Sequence, residues 1–117
     1  MQIDIQALDF SLTDSLRRHV KRRLGFALSG RDDDIRRISV RLLDINGPRG
    51  GRDMCCHIHV ELNHMPDVVI KDIETDLYAA IDRASDRVGR SVTRQLRRKI
   101  SRQRTPVTTN QILPEPI

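Results

Sequence analysis

Five arginine side chains recur between residues 83 and 97 at intervals of three or four residues. They are Arg83, Arg87, Arg90, Arg94 and Arg97, and this spacing places them on one face of an α-helix. The planar guanidinium group binds phosphate oxygens through paired hydrogen bonds and also stacks on nucleobases. The chemistry that this pattern can perform is therefore the binding of a polyanion.

The density of positive charge in this segment is higher than expected for a solvent-exposed helix face whose only role is solubility. Soluble helices usually interleave Glu with Lys at i, i+4, because like charges at that spacing repel one another. Residues 83–104 contain nine Arg or Lys residues and one acid, Asp86, in a chain of 117 residues whose net charge is +5. A sequence pI near 10.0 makes a polyanion the leading partner, although charge alone does not separate RNA from DNA or an anionic membrane surface.

A second group of cations lies in the segment 17–23, on the outer side of a predicted helix that has no acid after Asp14. We predict that phosphate contacts come from both groups, through Arg18, Lys21, Arg22, Arg23, Arg83, Arg87, Arg90, Arg94, Arg97 and Arg98. We also expect that replacement of Arg87, Arg90 and Arg94 together by Glu leaves the fold intact and abolishes binding.

Aromatic residues are too few to suggest stacking as the main mode of recognition. The chain has Phe10, Phe26 and Tyr78 and no tryptophan, and we expect Tyr78 to be partly buried beside the core. We therefore expect no platform for single-stranded bases and predict recognition of the backbone and shape of folded RNA.

The remaining reactive side chains do not converge on a catalytic or metal site. Cys55, His57 and His59 share one face of a predicted strand and His64 follows it, but ligands along one strand splay apart. Exposed polar side chains are therefore favoured over a metal site. Cys55 and Cys56 are predicted to be reduced, with a surface thiol rather than a catalytic nucleophile. We expect no enzyme activity, no cofactor and no small-molecule substrate.

Two loops have compositions that could hold ions. The segment "NGPRGG", which begins at residue 46, lacks the strand-loop-helix context and the Lys-Ser/Thr pair of a P-loop. We predict a hairpin turn there, with Arg49 and Arg52 as additional phosphate contacts. The carboxylates of "DDD" at 32–34 point in different directions, which favours a solvated loop over a magnesium site.

Apolar periodicity predicts the elements that position these side chains. Alternation at period two predicts strands at 3–7, 38–42, 55–62 and 68–73. An apolar spacing of four predicts a helix that Thr13 caps and that ends between Gly25 and Gly30. A second helix over 76–104 carries a core-facing stripe opposite the arginines, formed by Leu77, Ile81, Ala84, Val88, Val92 and Leu96. The resulting order is β-α-β-β-β-α, which indicates an α+β fold.

The length of the chain fits a single domain. We place it at residues 1–103 and predict a flexible tail at 104–117, where three prolines and no sustained apolar periodicity occur. No apolar run approaches the length of a membrane span, and the first residues lack an apolar signal core. We therefore expect a cytoplasmic protein that makes no membrane contact.

The segment "DLYAAIDRASDRVGRSVTRQLRRK" resembles the second helix of the ribosome hibernation promoting factors and ribosome-associated inhibitors, the sigma-54 modulation protein family. In that family an Asp-hydrophobic-Tyr-Ala-Ala-Ile-Asp opening precedes a ladder of basic residues. The start, "MQIDIQALDFSLTDSLRRHV", resembles the start of the same family. The resemblance, to a divergent short form, implies a four-stranded sheet with two helices packed on one face.

The resemblance also implies a partner and an action. Such proteins bind the small ribosomal subunit between head and body, against ribosomal RNA at the decoding centre, where they exclude messenger and transfer RNA under stress or in stationary phase. We predict a non-enzymatic translation inhibitor of this type. The same basic face is consistent with a general structured-RNA-binding or chaperone-like module, and with a protein-interaction module whose arginines meet an acidic protein.

Overall fold

The chain forms a four-stranded sheet and two helices in the predicted order. The computed structural model describes residues 2–8, 10–45 and 54–109, with side chains as far as residue 98. The elements are β1 (Gln2–Leu8), α1 (Asp14–Ala27), a 3-10 turn (Asp32–Asp34), β2 (Ile35–Asp44), β3 (Met54–Leu62), β4 (Val68–Glu74) and α2 (Leu77–Thr109). The predicted β-α-β-β-β-α order and the α+β class are confirmed.

The sheet is mixed, with the strands in the order β1-β2-β3-β4. β1 and β2 pair in parallel, with α1 as the crossover between them, whereas the β2–β3 and β3–β4 pairs are antiparallel. The β2–β3 pairing extends to Asp44 and Met54, which confirms that the segment between them joins two antiparallel neighbours. Arg49 and Arg52 lie outside the described residues, so their phosphate contacts stay a prediction.

The hydrophobic core lies between one face of the sheet and both helices. Inward-facing side chains of β2 and β3 pack in a single cluster with buried side chains of α1 and α2. These strand residues are almost fully buried, and they include Ile38, Val40, Leu42, Ile58 and Val60. Because the two helices share this core, they lie on the same face of the sheet, as the family resemblance implied.

The start of α1 is stabilised by the cap that the sequence predicts. The hydroxyl oxygen of Thr13 accepts a hydrogen bond from the Leu16 backbone N–H at 3.1 Å, an interaction usually worth about 1 kcal/mol. α1 ends at Ala27, inside the predicted interval. The acidic segment that follows forms one 3-10 turn, Asp32–Asp34, where an irregular polar loop was expected.

α2 has 33 residues and a length of about 50 Å. The six residues of the predicted core stripe are all buried, which confirms the orientation of this helix. Its backbone remains helical as far as Thr109, so the boundary at residue 103 does not coincide with the end of the helix. The division into a domain and a tail stays a prediction, and residues 110–117 lie outside the described residues.

Gly89 is the point at which α2 approaches the end of α1. A Cβ atom added at Gly89 would lie 2.9 Å from the carbonyl oxygen of Ala27 and 3.2 Å from its Cβ. The first distance is shorter than real Cβ contacts, and the atom it meets belongs to the backbone, so the helices would have to separate. Glycine therefore permits this helix–helix contact, although it lowers helix propensity relative to alanine.

We expect Gly89→Ala to lower the free energy of unfolding, because the strained helix–helix contact outweighs a gain in helix propensity of about 1 kcal/mol. Gly25→Ala is the matched control. Gly25 also lies in a helix, and no atom would lie within 4 Å of its added Cβ, so this variant should be more stable than the wild type. Urea unfolding measures both effects, and equal stabilisation by the two substitutions would contradict the tight approach at Gly89.

Candidate nucleic-acid interface

The predicted arginines of α2 divide into two groups according to their partners. Arg87 donates through Nη1 to Oδ2 of Asp72 at 3.1 Å and to the carbonyl oxygen of Lys71 at 2.9 Å. Nε of Arg83 lies 3.2 Å from Oε2 of Glu74 and 3.7 Å from Oδ1 of Asp72. Asp72 and Glu74 belong to β4, so this first group fastens α2 to the edge of the sheet.

The partner of Arg87 is a buried carboxylate. Asp72 is only 8% exposed, and a buried carboxylate that loses its cation is strongly destabilising. We therefore expect a triple variant that includes Arg87→Glu to be less stable than the wild type, and whether its fold stays intact remains a prediction. A binding test that preserves the fold must use arginines without such partners, such as Arg90 and Arg94.

Arg23 lies in the seam between the two helices. Its Nε is 3.2 Å from Oδ1 of Asp82, and its Nη2 donates to Oδ1 of Asp86 at 3.0 Å. Nε2 of His19 lies 2.7 Å from the same Asp82 oxygen. The prediction that Arg23 lies on the outer side of α1 with no acid to offset it is wrong, because the offsetting acids come from α2. Asp82 and Asp86, the two acids of α2, thus share the positive charge of Arg23 and are partly offset by it.

The other cations of the two helices whose side chains are described are exposed and have no acidic partner among the described residues. We call them the free cations; they are Arg17, Arg18, Lys21 and Arg22 on α1 and Arg90, Arg94, Arg97 and Arg98 on α2. All but Arg17 belong to the predicted phosphate-binding set. Their contact with RNA stays a prediction. In the fold they are exposed and therefore accessible to a partner.

A groove of about 540 Å³ lies where the end of α1 meets α2. Its walls are formed by Phe26, Ala27, Asp86, Gly89, Arg90, Thr93, Arg94 and Arg97. Three of these residues are free cations. The close approach at Gly89 thus places the end of α1 beside a row of unpaired guanidinium groups.

Two residues of this region were not predicted as part of a site. Phe26 is 77% exposed, so one aromatic side chain is accessible beside the free cations, and whether it holds a base is not tested by its exposure. Arg31 donates through Nη2 to the hydroxyl oxygen of Thr93 at 3.5 Å and so adds a cation beside the groove. Phe26 does not follow the spacing of four of the buried residues Leu16, Val20 and Leu24, but this spacing alone does not assign it to a site. Arg31 directly precedes three aspartates in the sequence, so its charge did not stand out as part of a basic group.

The face of the sheet that bears Cys55 carries no reactive thiol. Cys55 is 1% exposed, so the prediction of a surface thiol is wrong. β3 is a central strand, and Cys55 is paired in register with the larger residues Leu43 and Ile73 of its two neighbouring strands, whose side chains lie beside it on the same face. Burial raises the pKa of the Cys55 thiol, which keeps it protonated at neutral pH.

The histidines of β3 act separately. Nε2 of His59 lies 2.8 Å from Oδ2 of Asp67, whereas burial, assisted by Arg41, His59 and Lys71, lowers the pKa of His57. Among the described residues no group of three or more His, Cys, Asp or Glu side chains is arranged to hold a metal ion. Within the same residues, no helix combines the length and apolar character needed to span a membrane.

We expect Arg87→Glu to lower the free energy of unfolding by about 2 kcal/mol, because it removes the closer of the two cations beside Asp72 and adds a second carboxylate there. Arg94→Glu makes the same change of charge on the same helix at a residue without a partner, and should leave stability almost unchanged. Thermal or urea unfolding of the two variants compares them directly. Similar stabilities would show that the Arg87–Asp72 pair does not hold α2 to β4.

Cys56 should make stability depend on alkaline pH. Burial, with smaller effects of Cys55 and Asp72, raises the pKa of the Cys56 thiol from 9.0 to about 12. The unfolded chain therefore loses this proton first, and the free energy of unfolding should fall as pH rises above 9.0. The decline should be shallower in Cys56→Ala, as measured by urea unfolding between neutral and alkaline pH. Identical slopes would contradict the prediction.

Solved structures share this fold. The N-terminal domain of protein Y from Thermus thermophilus is 29% identical, with a TM-score of 0.67 over 80% of this chain and 98% of that one. A ribosomal subunit interface protein from Coxiella burnetii is 15% identical, with a TM-score of 0.68 over 86% of this chain and 99% of that one. No curated protein sequence matches the chain significantly.

A protein family also matches at the level of sequence. The family described as Sigma 54 modulation protein / S30EA ribosomal protein matches residues 3–102. The match extends from β1 into α2 and so includes nearly all of the sheet, α1, most of α2 and the residues of the groove between the helices. The chain therefore belongs to the Sigma 54 modulation protein / S30EA ribosomal protein family, as its resemblance to the hibernation factors had indicated.

Proposed function

We propose that the protein is a translation inhibitor of the hibernation type, which binds ribosomal RNA of the small subunit at the decoding region and excludes messenger and transfer RNA. The observation that carries this proposal is the set of free cations on two adjacent helices. The chain belongs to a family whose description includes a ribosomal protein. A structural relative is described as a ribosomal subunit interface protein. The resemblance of "DLYAAID" to the hibernation factors supports the decoding region as the site.

The electrostatics of the two helices favour RNA as the partner. Arg23 binds both acids of α2, so its charge partly offsets the two carboxylates of the helix that carries Arg90, Arg94 and Arg97. Each guanidinium or ammonium group that then meets a phosphate releases counterions from the RNA. Affinity for the ribosome should therefore fall steeply as salt concentration rises.

Inhibition in this proposal requires occupancy and no chemical step. α2 is about 50 Å long, which is enough to extend along an RNA-lined channel and not only to touch its entrance. Contacts to phosphates fix the position of a protein without reading sequence. Selectivity for the decoding region would thus come from the shape of the paired helices, and messenger and transfer RNA would be excluded because the protein fills their path.

The second candidate function is binding of structured RNA in general, because the free cations would also fit the backbone of an RNA duplex. Competition with an excess of duplex RNA separates the two. A site shaped for the ribosome should retain the protein, whereas a general RNA-binding module should be displaced. Nuclease treatment distinguishes RNA binding from binding to an acidic protein, because only the latter would survive digestion of the RNA.

We expect Arg90→Glu/Arg94→Glu to abolish cosedimentation with small subunits and whole ribosomes, and to relieve inhibition of in vitro translation. The wild type should cosediment at low salt and dissociate as salt rises. The slope of log affinity against log salt should become shallower by about one for each phosphate that a variant no longer neutralises. Sucrose-gradient sedimentation at several salt concentrations measures both quantities.

The matched control is Arg41→Glu/Lys71→Glu, which reverses two exposed cations on the open face of the sheet. It changes the net charge by the same amount, so it should retain binding if the helices form the interface. Equal loss of binding in the two double variants would show that binding depends on net charge and not on the position of the cations. Retained binding by Arg90→Glu/Arg94→Glu would exclude the proposed surface.

A further inference from the structure

We propose that the groove at the end of α1 binds one unpaired nucleotide of RNA, with its base stacked on the ring of Phe26 and its phosphates held by Arg90, Arg94 and Arg97. This inference deepens the proposed function and rests on it, because the same RNA would meet the free cations on either side of the groove. It adds a site for an exposed base to a surface that otherwise contacts only backbone.

The exposure of Phe26 is the first observation. Phe26 is 77% exposed, more than any other large hydrophobic residue among those described. The core stripe of α1 is complete without it, since Leu16, Val20 and Leu24 are buried. A phenyl ring left in water at the wall of a groove gains free energy when another flat surface covers it.

The charges around the ring indicate the class of ligand that would stack on it. Arg90, Arg94 and Arg97 line the same groove, and none has an acidic partner among the described residues. An aromatic ring beside several arginines is the combination by which proteins hold single-stranded RNA, the ring against a base and the guanidinium groups against phosphates. The base must be unpaired, because the paired bases of a duplex are stacked inside it.

The carboxylate in the groove does not oppose a phosphate. Asp86 lines the groove, but Nη2 of Arg23 donates to its Oδ1 at 3.0 Å and partly offsets its charge, and three arginines line the same groove. Arg31, which donates to Thr93, adds positive charge at the same wall. The groove volume of about 540 Å³ lies within the range of roughly 300–1,000 Å³ that holds small ligands.

Phe26→Ala and Phe26→Leu test the stacking directly by cosedimentation with ribosomes. Loss of a stacked base should weaken binding about 5- to 150-fold and leave the salt slope unchanged, because no charge is removed. Phe26→Leu keeps apolar volume without a π face, so it should lose nearly as much affinity. Wild-type affinity in either variant, with the fold verified by circular dichroism, would overturn the proposal.

Phe26→Trp gives an optical readout, because the chain has no tryptophan of its own. Its fluorescence should be quenched by a single-stranded oligoadenylate and much less by duplex RNA. Tyr78→Trp, at the first turn of α2 and half exposed, is the control that should not respond. Equal quenching of Phe26→Trp by oligoglutamate would overturn the assignment to a nucleotide and indicate an acidic peptide.

The two sets of variants separate failure of this site from failure of the proposed function. If Arg90→Glu/Arg94→Glu loses the ribosome and Phe26→Ala does not, the protein binds ribosomal RNA but stacks no base on Phe26. If the wild type does not bind ribosomes at all, the proposed function fails. Quenching of Phe26→Trp by oligoadenylate would then still support a nucleotide site, and its absence would exclude one.

Discussion

The approach of α2 to the end of α1 at Gly89 is the contact on which the rest of the surface depends. Because no side chain separates Gly89 from the Ala27 backbone, Arg23 reaches across the seam to both acids of α2. The same approach places Phe26 beside Arg90 and the arginines that follow it. The close approach at one glycine thus brings the ion pairs of Arg23 and an open basic groove within the same few turns of helix.

Arginines that look alike in the sequence have different roles in this arrangement. Arg83 and Arg87 face β4 and form ion pairs with its carboxylates, including the buried Asp72. Arg90, Arg94 and Arg97 lie further along the helix, where no acid of the sheet or of α1 meets them among the described residues. Stability and proposed RNA binding are therefore carried by different parts of one helix, and a substitution in one part need not affect the other.

The two faces of the sheet differ in burial. The face beneath the helices holds the core, whereas the other face exposes apolar and basic side chains, among them Val69, Ile73 and Lys71. Its cysteine is buried, and its histidines have separate environments. The free cations belong to the helices, which cover the other face of the sheet.

The sequence by itself determined the elements and their order. Periods of two and 3.6 residues follow from backbone geometry, so the strands, the Thr13 cap, the core stripe of α2 and its basic face could all be predicted. The tertiary structure decided which arginines are free, that Cys55 is covered and that Phe26 is exposed. These depend on partners distant in the chain, such as Arg23 and Asp86, which are 63 residues apart. Local periodicity says which way a side chain faces on its own element, but only packing brings that element against the acid, strand or helix that pairs with it.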